Sequence, residues 1–195
     1  MPRSLTEIRR GVLAEVLRRV ALVLAVSLGV GVVAGVLWWL LTPLPGYRIS
    51  EDGLAVINER GLAQVFAADA WYTVIAILGG AVIGVLAALW LGRQLGWLVV
   101  WVVLVDTLVA GLLCWGVGSL LGPGDFSTRL AEAHAGDVVP MSLTLRSWVA
   151  LLVWPFIGLL PVLLWSTLAR DPEEPKPIRS PARVWREWRA GTGTD

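Results

Sequence analysis

Four long apolar runs, residues 20–41, 70–92, 95–121 and 147–169, are separated by short polar segments. Each reaches the roughly 20 residues that a helix needs to cross about 30 Å of hydrocarbon. Asp106 is the only charged residue deep inside any of them. A soluble domain of this size does not carry four such runs. The pattern therefore predicts an all-α membrane protein, a bundle of four transmembrane helices with short loops.

The segments between the runs predict smaller elements. Ile8, Val12, Val16 and Val20 recur every four residues, with Arg9, Arg10, Arg18 and Arg19 beside them. Residues 4–19 thus read either as an amphipathic helix at the headgroups or as a solvated extension of span 1. Pro43, Pro45 and Gly46 end that span. In the first outer loop, residues 47–50 and 54–57 flank Glu51-Asp52-Gly53, and Asp-Gly signals a β-hairpin. Residues 61–68 read as a short helix approaching span 2. Arg93-Gln94 centres a very short inner turn, which makes spans 2 and 3 antiparallel neighbours. In the second outer loop, Asp125 is placed to cap a short helix running to Ala135, with Gly136 ending it and Phe126, Leu130 and His134 on one face. Residues 138–145 read as extended. Pro155 and Pro161 predict kinks or local unwinding in span 4.

Beyond residue 169 a linker spaced by Pro172, Pro175, Pro177 and Pro181 leads to a tail containing Trp185 and Trp188 among arginines. Such a tail suits a headgroup-level anchor, a partner-binding peptide, or a segment disordered until contact. Three parts result: residues 1–19, a cytoplasmic N-terminal segment; 20–169, the membrane domain; and 170–195, the cytoplasmic linker and tail.

Charge adds an orientation. Twelve of the sixteen basic residues fall in the termini and the turn at Arg93, whereas the outer loops hold only Arg48, Arg60, Arg129 and Arg146. The positive-inside rule then places both termini in the cytoplasm of a plasma-membrane protein, as an even number of spans requires. The first span reads as uncleaved: its apolar run exceeds a typical signal-peptide core, and residues 35–41 lack a small-x-small cleavage pattern. Composition agrees, with 56% hydrophobic residues and a mean hydropathy of +0.72. A single lysine, Lys176, and a single asparagine, Asn58, beside many Arg, Ala, Gly, Val and Trp residues suggest a high-GC genome.

Small residues form ladders at intervals of four: Ser27, Gly31 and Gly35 in span 1; Ala76, Gly80, Gly84 and Ala88 in span 2; Asp106, Ala110, Cys114 and Gly118 in span 3. Lipid gives helices no hydrophobic drive to associate, so close backbone approach must serve, either within the bundle or between copies. Most of the twelve tryptophans, Trp38 and Trp39 among them, fall near span ends, where indoles position a helix at the interface. Trp101 and Trp154 lie deeper and read as packing or subunit-contact residues.

Chemistry is sparse. Asp106 stands near the bilayer midplane, where an ionised carboxylate costs a few kcal/mol unless paired or hydrated. No Lys, Arg or His lies in any span to pair with it. The simplest state is a neutral acid bonded across helices, with Ser27 at comparable depth, or a carbonyl freed by a span 4 proline, as its partner. Asp106 reads as a polar clasp, as a proton- or ion-linked group, or as a contact to a partner subunit. Cys114 is the only cysteine and His134 the only histidine, so no internal disulfide, no cysteine metal cluster and no bis-histidine haem site is available. Phosphate-loop, nucleotide, serine-hydrolase and zinc-protease motifs are absent, and the outer carboxylates lack a ligand-like spacing. Asp69 reads as a cap for span 2. No catalytic, cofactor, metal or nucleic-acid site is expected.

Leu37-Trp38-Trp39-Leu40-Leu41-Thr42-Pro43 closes span 1, Ala67-Ala68-Asp69-Ala70-Trp71 opens span 2, and Leu143-Thr144-Leu145-Arg146 precedes Leu151-Leu152-Val153-Trp154-Pro155. With these segments the chain resembles, over residues 20–175, a family of uncharacterised four-span membrane proteins from actinobacteria. The resemblance implies the four-span fold and a charged residue before span 4, here Arg146; it brings no biochemical activity. The expectation is a non-catalytic accessory or assembly subunit of a larger envelope complex, respiratory or transport, with a membrane-protein partner or a second copy of itself. The alternative is a small transporter or proton-linked permease built on Asp106; third is a membrane enzyme with clustered outer carboxylates.

Overall fold

The computed structural model describes residues 5–52 and 54–168. The elements are α1 (Leu5–Leu41), β1 (Gly46–Ile49), β2 (Ala55–Val56), α2 (Glu59–Gln64), α3 (Ala67–Leu95), α4 (Leu98–Leu121), α5 (Phe126–Ala131), β3 (Val138–Pro140) and α6 (Val149–Leu168). Four helices, α1, α3, α4 and α6, are long and apolar enough to cross a membrane. The shortest, α6, has 20 residues, about 30 Å at 1.5 Å per residue. The linker and tail, with Trp185 and Trp188, lie outside the described residues.

Around the bundle the order is α1, α4, α6, α3. Helix α1 packs chiefly on α4, and α3 chiefly on α6; α3 and α4 meet across the short diagonal. The short turn brings α3 and α4 into contact only across that diagonal, and each finds its main partner elsewhere, because its small residues face that partner. The turn itself lies later than Arg93-Gln94. Both residues are still in α3, and the chain breaks at Gly96, whose φ of +53° is open to glycine and strained for residues with a Cβ. Helix α1 runs without interruption from Leu5 to Leu41. Residues 5–19 therefore continue the axis of span 1 and form no separate interfacial helix. Glu15 there bridges Arg18 and Arg19, each at 2.8 Å.

The loops joining α1 to α3 and α4 to α6 meet in one small sheet of order β2-β1-β3. The expected hairpin is present, with Ile49 opposite Ala55, and the extended stretch after α5 adds a third strand, with Tyr47 opposite Val139. Ile49 and Val139 turn inward and are buried, whereas Arg48, Val56 and Val138 align across the open face. Helix α5 is shorter than expected and stops at Ala131; the chain then turns through Gly136, at φ +93°, with the Asp137 N–H donating to the His134 carbonyl. His134 is exposed.

Four hydrogen bonds pin the sheet-bearing end. Trp38 Nε1 donates to the Ala68 carbonyl at 2.8 Å, tying the end of α1 to the start of α3. Tyr72 donates to the Gly111 carbonyl at 2.8 Å, tying α3 to α4. Asp69 accepts from the Arg146 and Ser147 backbone N–H groups at 3.0 and 3.1 Å. Its carboxylate thus serves the approach to the neighbouring α6, where the sequence suggested a cap for its own helix. Trp38, expected as an interface anchor, is buried against the Tyr72 ring at 5.3 Å. Its N–H has a partner, as a buried indole requires.

Candidate functional site

The buried interior forms two apolar clusters separated by a polar layer. The cluster on the sheet side holds Trp38, Tyr72, Ile83, Leu143 and Trp154. The cluster on the turn side holds Val23, Leu91, Val99, Val103 and Val162. Between them lie Ser27, Asp106 and Thr107, all buried, with Asp106 4% exposed and Ser27 1%.

Asp106 projects from α4 to α1, where its Oδ2 lies 2.7 Å from Ser27 Oγ. Ser27 Oγ is in turn 2.9 Å from the Val23 carbonyl oxygen, one turn back along α1. This line of three oxygens contains two hydrogen bonds. The serine hydroxyl supplies one proton and the carbonyl none. Both bonds hold together only when Asp106 carries the other proton: the neutral acid donates to Ser27, and Ser27 donates to Val23. An ionised Asp106 would draw the serine proton to itself and release the Val23 carbonyl. The proton count and the cost of a charge at this depth favour the same species. Of the two partners considered from sequence, Ser27 is the one in place, and the prolines of α6 are not needed.

Thr107, the next residue, turns toward α6. Its hydroxyl donates back to the Val103 carbonyl at 2.6 Å, which leaves its methyl group toward Gly158. Successive residues of α4 thereby address the two main helix pairs. Sequence reasoning passed over Thr107 because a threonine that bonds its own helix leaves no pattern. Tyr72 escaped notice as well, although a tyrosine one turn inside an apolar run needs a buried acceptor.

The small residues on the ladders face inward. A Cβ on Gly31 would stand 2.8 Å from the Ala110 carbonyl oxygen, and one on Gly35 2.8 Å from that of Cys114. Gly118 gives way to the Trp38 ring. On the other pair, Gly80 meets the Trp154 carbonyl at 2.8 Å, and Gly84 meets that of Gly158. Gly31, Gly35, Gly80, Gly84 and Gly118 thus set contacts between helices of the same chain. Trp154 is fully buried, its indole filling the space over Gly79 and Gly111. It has no surface to offer a partner, so its packing role stands and its subunit-contact role is corrected. Trp101, 58% exposed, points out of the bundle.

The carboxylates expected in the outer loops do not converge. Asp69 is engaged by the backbone ahead of α6, Asp125 by Ser127 and Thr128, and Asp137 by the His134 N–H. Among the described residues no group of three or more His, Cys, Asp or Glu side chains is arranged to hold a metal ion. The acid they place deepest is therefore Asp106, hydrogen-bonded to Ser27 between α1 and α4. No protein-family model, curated protein or solved structure matches this chain.

Proposed function

We propose that this protein is a non-catalytic accessory or assembly subunit of a larger envelope complex, seated in the plasma membrane with both termini in the cytoplasm. The observation that carries this reading is the internal use of Asp106: the one acid at mid-depth bonds to Ser27 of the same chain. The glycine ladders are likewise consumed within the bundle, which leaves the outward surface, with Trp101 on α4, for a partner. Trp185 and Trp188 in the tail are further contacts in this proposal. Membership in the actinobacterial four-span family belongs to the same proposal and rests on the three sequence segments quoted above. Isolation from native membranes in mild detergent tests it. The expected result is a stable larger assembly that loses its partner when Trp101 is replaced by alanine; a solitary protein in every lipid and detergent would sink the idea.

A second reading has one specific observation in its favour. The line Asp106–Ser27–Val23 needs a proton on Asp106, as a proton-linked permease would hold one. In that case Asp106→Asn abolishes a pH-driven flux in liposomes; unchanged flux with an intact fold removes this reading.

A further inference from the structure

The two outer strands of the sheet, β2 and β3, end it in different ways. In an antiparallel ladder each residue turns both backbone groups to one side, and bonded and non-bonded pairs alternate. Ile49 directs both of its groups to the β3 side: its N–H donates to the Asp137 carbonyl, and its carbonyl accepts from the Gly136 N–H, each at 2.9 Å. On the β2 side the bond falls one residue later, from the Ser50 N–H to the Leu54 carbonyl at 2.9 Å. Ala55, opposite Ile49, therefore turns its N–H and C=O away from the sheet. Neither group has a partner among the described residues.

The β3 edge is closed to a further strand. The Met141 N–H donates to the Pro45 carbonyl at 2.9 Å, so the residue before it, Pro140, stands at an outward-facing position. A fourth strand would need an N–H there, and proline has none. Helix α5 also packs against β3. The β2 edge has neither protection. Leu54, Ala55 and Val56 are all exposed, and residues 54–57 contain no charge and no proline. An exposed apolar edge with unpaired backbone groups is a template for another strand. The free groups also state the form of the occupant. A donor and an acceptor on one residue are both satisfied by a single residue of an antiparallel strand.

We infer that β2 pairs with β2 of a second copy of this chain, antiparallel and centred on Ala55. The edge is complementary to itself. Ala55 of each copy offers the donor and the acceptor that the other lacks, so one two-fold axis satisfies all four groups, an isologous contact. Leu54 then lies opposite Val56 of the second copy, apolar against apolar on both sides of the axis. Two copies inserted the same way in one membrane also hold these strands at the same height. The pairing joins two three-stranded sheets into one of six strands. It does not rest on the assembly role proposed above, which uses Trp101.

The test uses the full chain in phosphatidylcholine vesicles. A mixture of Leu54→Cys and Val56→Cys proteins should form disulfide-linked dimers several-fold faster than either protein alone. Only the mixture sets two thiols at directly opposed positions, with Cα atoms about 4.5 Å apart, within reach of a disulfide. Val138→Cys, exposed on the closed edge, should link as slowly as the single variants; the native Cys114 is buried and does not compete. Ala55→Pro deletes the outward N–H and leaves the β1–β2 bonds in place. It should lower the two-copy fraction several-fold, counted as photobleaching steps of single labelled particles, while the melting temperature holds. One copy per particle at every protein-to-lipid ratio overturns the inference. So does linking of Leu54→Cys alone, or of Val138→Cys, as fast as the mixture, which marks chance encounter. A chain that is single in pure lipid, yet loses a partner of different mass on Ala55→Pro, also overturns it and gives the edge to a foreign strand.

Discussion

The two principal helix pairs hold together by different means. Between α3 and α6 the joint is steric: Gly80 and Gly84 receive the backbone of α6 at Trp154 and Gly158, and the Trp154 indole fills the volume beside them. Between α1 and α4, Gly31 and Gly35 allow a similarly close approach, but a polar bond from Ser27 to Asp106 is added at mid-depth. In lipid, dispersion from close packing drives association, and an interhelical hydrogen bond contributes only about 0.6 kcal/mol on average because unassembled helices find other partners for the same groups. The glycine contacts should therefore govern stability in both pairs, with the Asp106 bond selecting register in one. Chemical prominence in the sequence and energetic weight in the fold fall on different residues.

The largest effect should come from the α3–α6 pair. Gly84→Leu drives a side chain into the Gly158 backbone, which cannot move aside as a flexible side chain would. A loss of roughly 3 kcal/mol or more is expected, read as the shift in an SDS-unfolding titration in bicelles. A loss below about 1 kcal/mol would mean that the pair can part at little cost, and the contrast between the joints would fail.

Asp106 should matter less. Asp106→Ala and Ser27→Ala should each cost about 1 kcal/mol, with the double substitution costing little more than either, since both remove one shared bond. Asp106→Asn should lose less than Asp106→Ala, because the amide N–H can donate to Ser27 as the neutral acid does. Additive losses in the cycle would show that the 2.7 Å contact carries no coupling.

These differences bear on what could be read before the fold was known. The four long apolar helices were legible because crossing hydrocarbon would impose length and apolarity on each of them. Ser27 was legible as one of two candidate partners for Asp106, since few polar groups exist at that depth. Pairing of the helices was not, because a ladder such as Gly80 and Gly84 records that a close approach occurs without naming the partner. Trp38 and Trp154 show the same limit. A tryptophan near a span end and one in mid-span carry the same side chain, and only the glycines opposite them, Gly118, Gly79 and Gly111, decide that both are interior. Asp69 was misplaced for a related reason: its acceptors serve a backbone segment 77 residues away, which no local capping pattern encodes.

That crossing contact gives a smaller test. Asp69→Ala removes both acceptors from the Arg146 and Ser147 N–H groups. A cost of about 1 kcal/mol, that of a lost helix cap, is expected, with faster amide exchange confined to residues 146–151. Exchange that instead rises along the whole of α6 would make Asp69 a keystone of the α3–α6 pair and weaken the claim that glycine contacts dominate it.

The smallest effect should lie outside both joints, at α5. Asp125 Oδ2 accepts from the Ser127 hydroxyl and from the Thr128 N–H and hydroxyl at 3.1 and 3.0 Å. These bonds, the Ser127 contact foremost, hold its carboxyl below the ordinary carboxylate value of 3.8. A lowered value in the folded state means that the cap contributes fully above 3.8 and is lost as pH falls through the lower, folded value. The Thr128 amide resonance should therefore titrate with a midpoint below 3.8, and Ser127→Ala should move that midpoint up toward it. Because α5 has no buried residues and belongs to neither helix pair, resonances of α3 and α6 should stay fixed through the same transition. If they shift with Thr128, the sheet-bearing end and the bundle form one cooperative unit, and the comparison of two separate joints must give way to a single one.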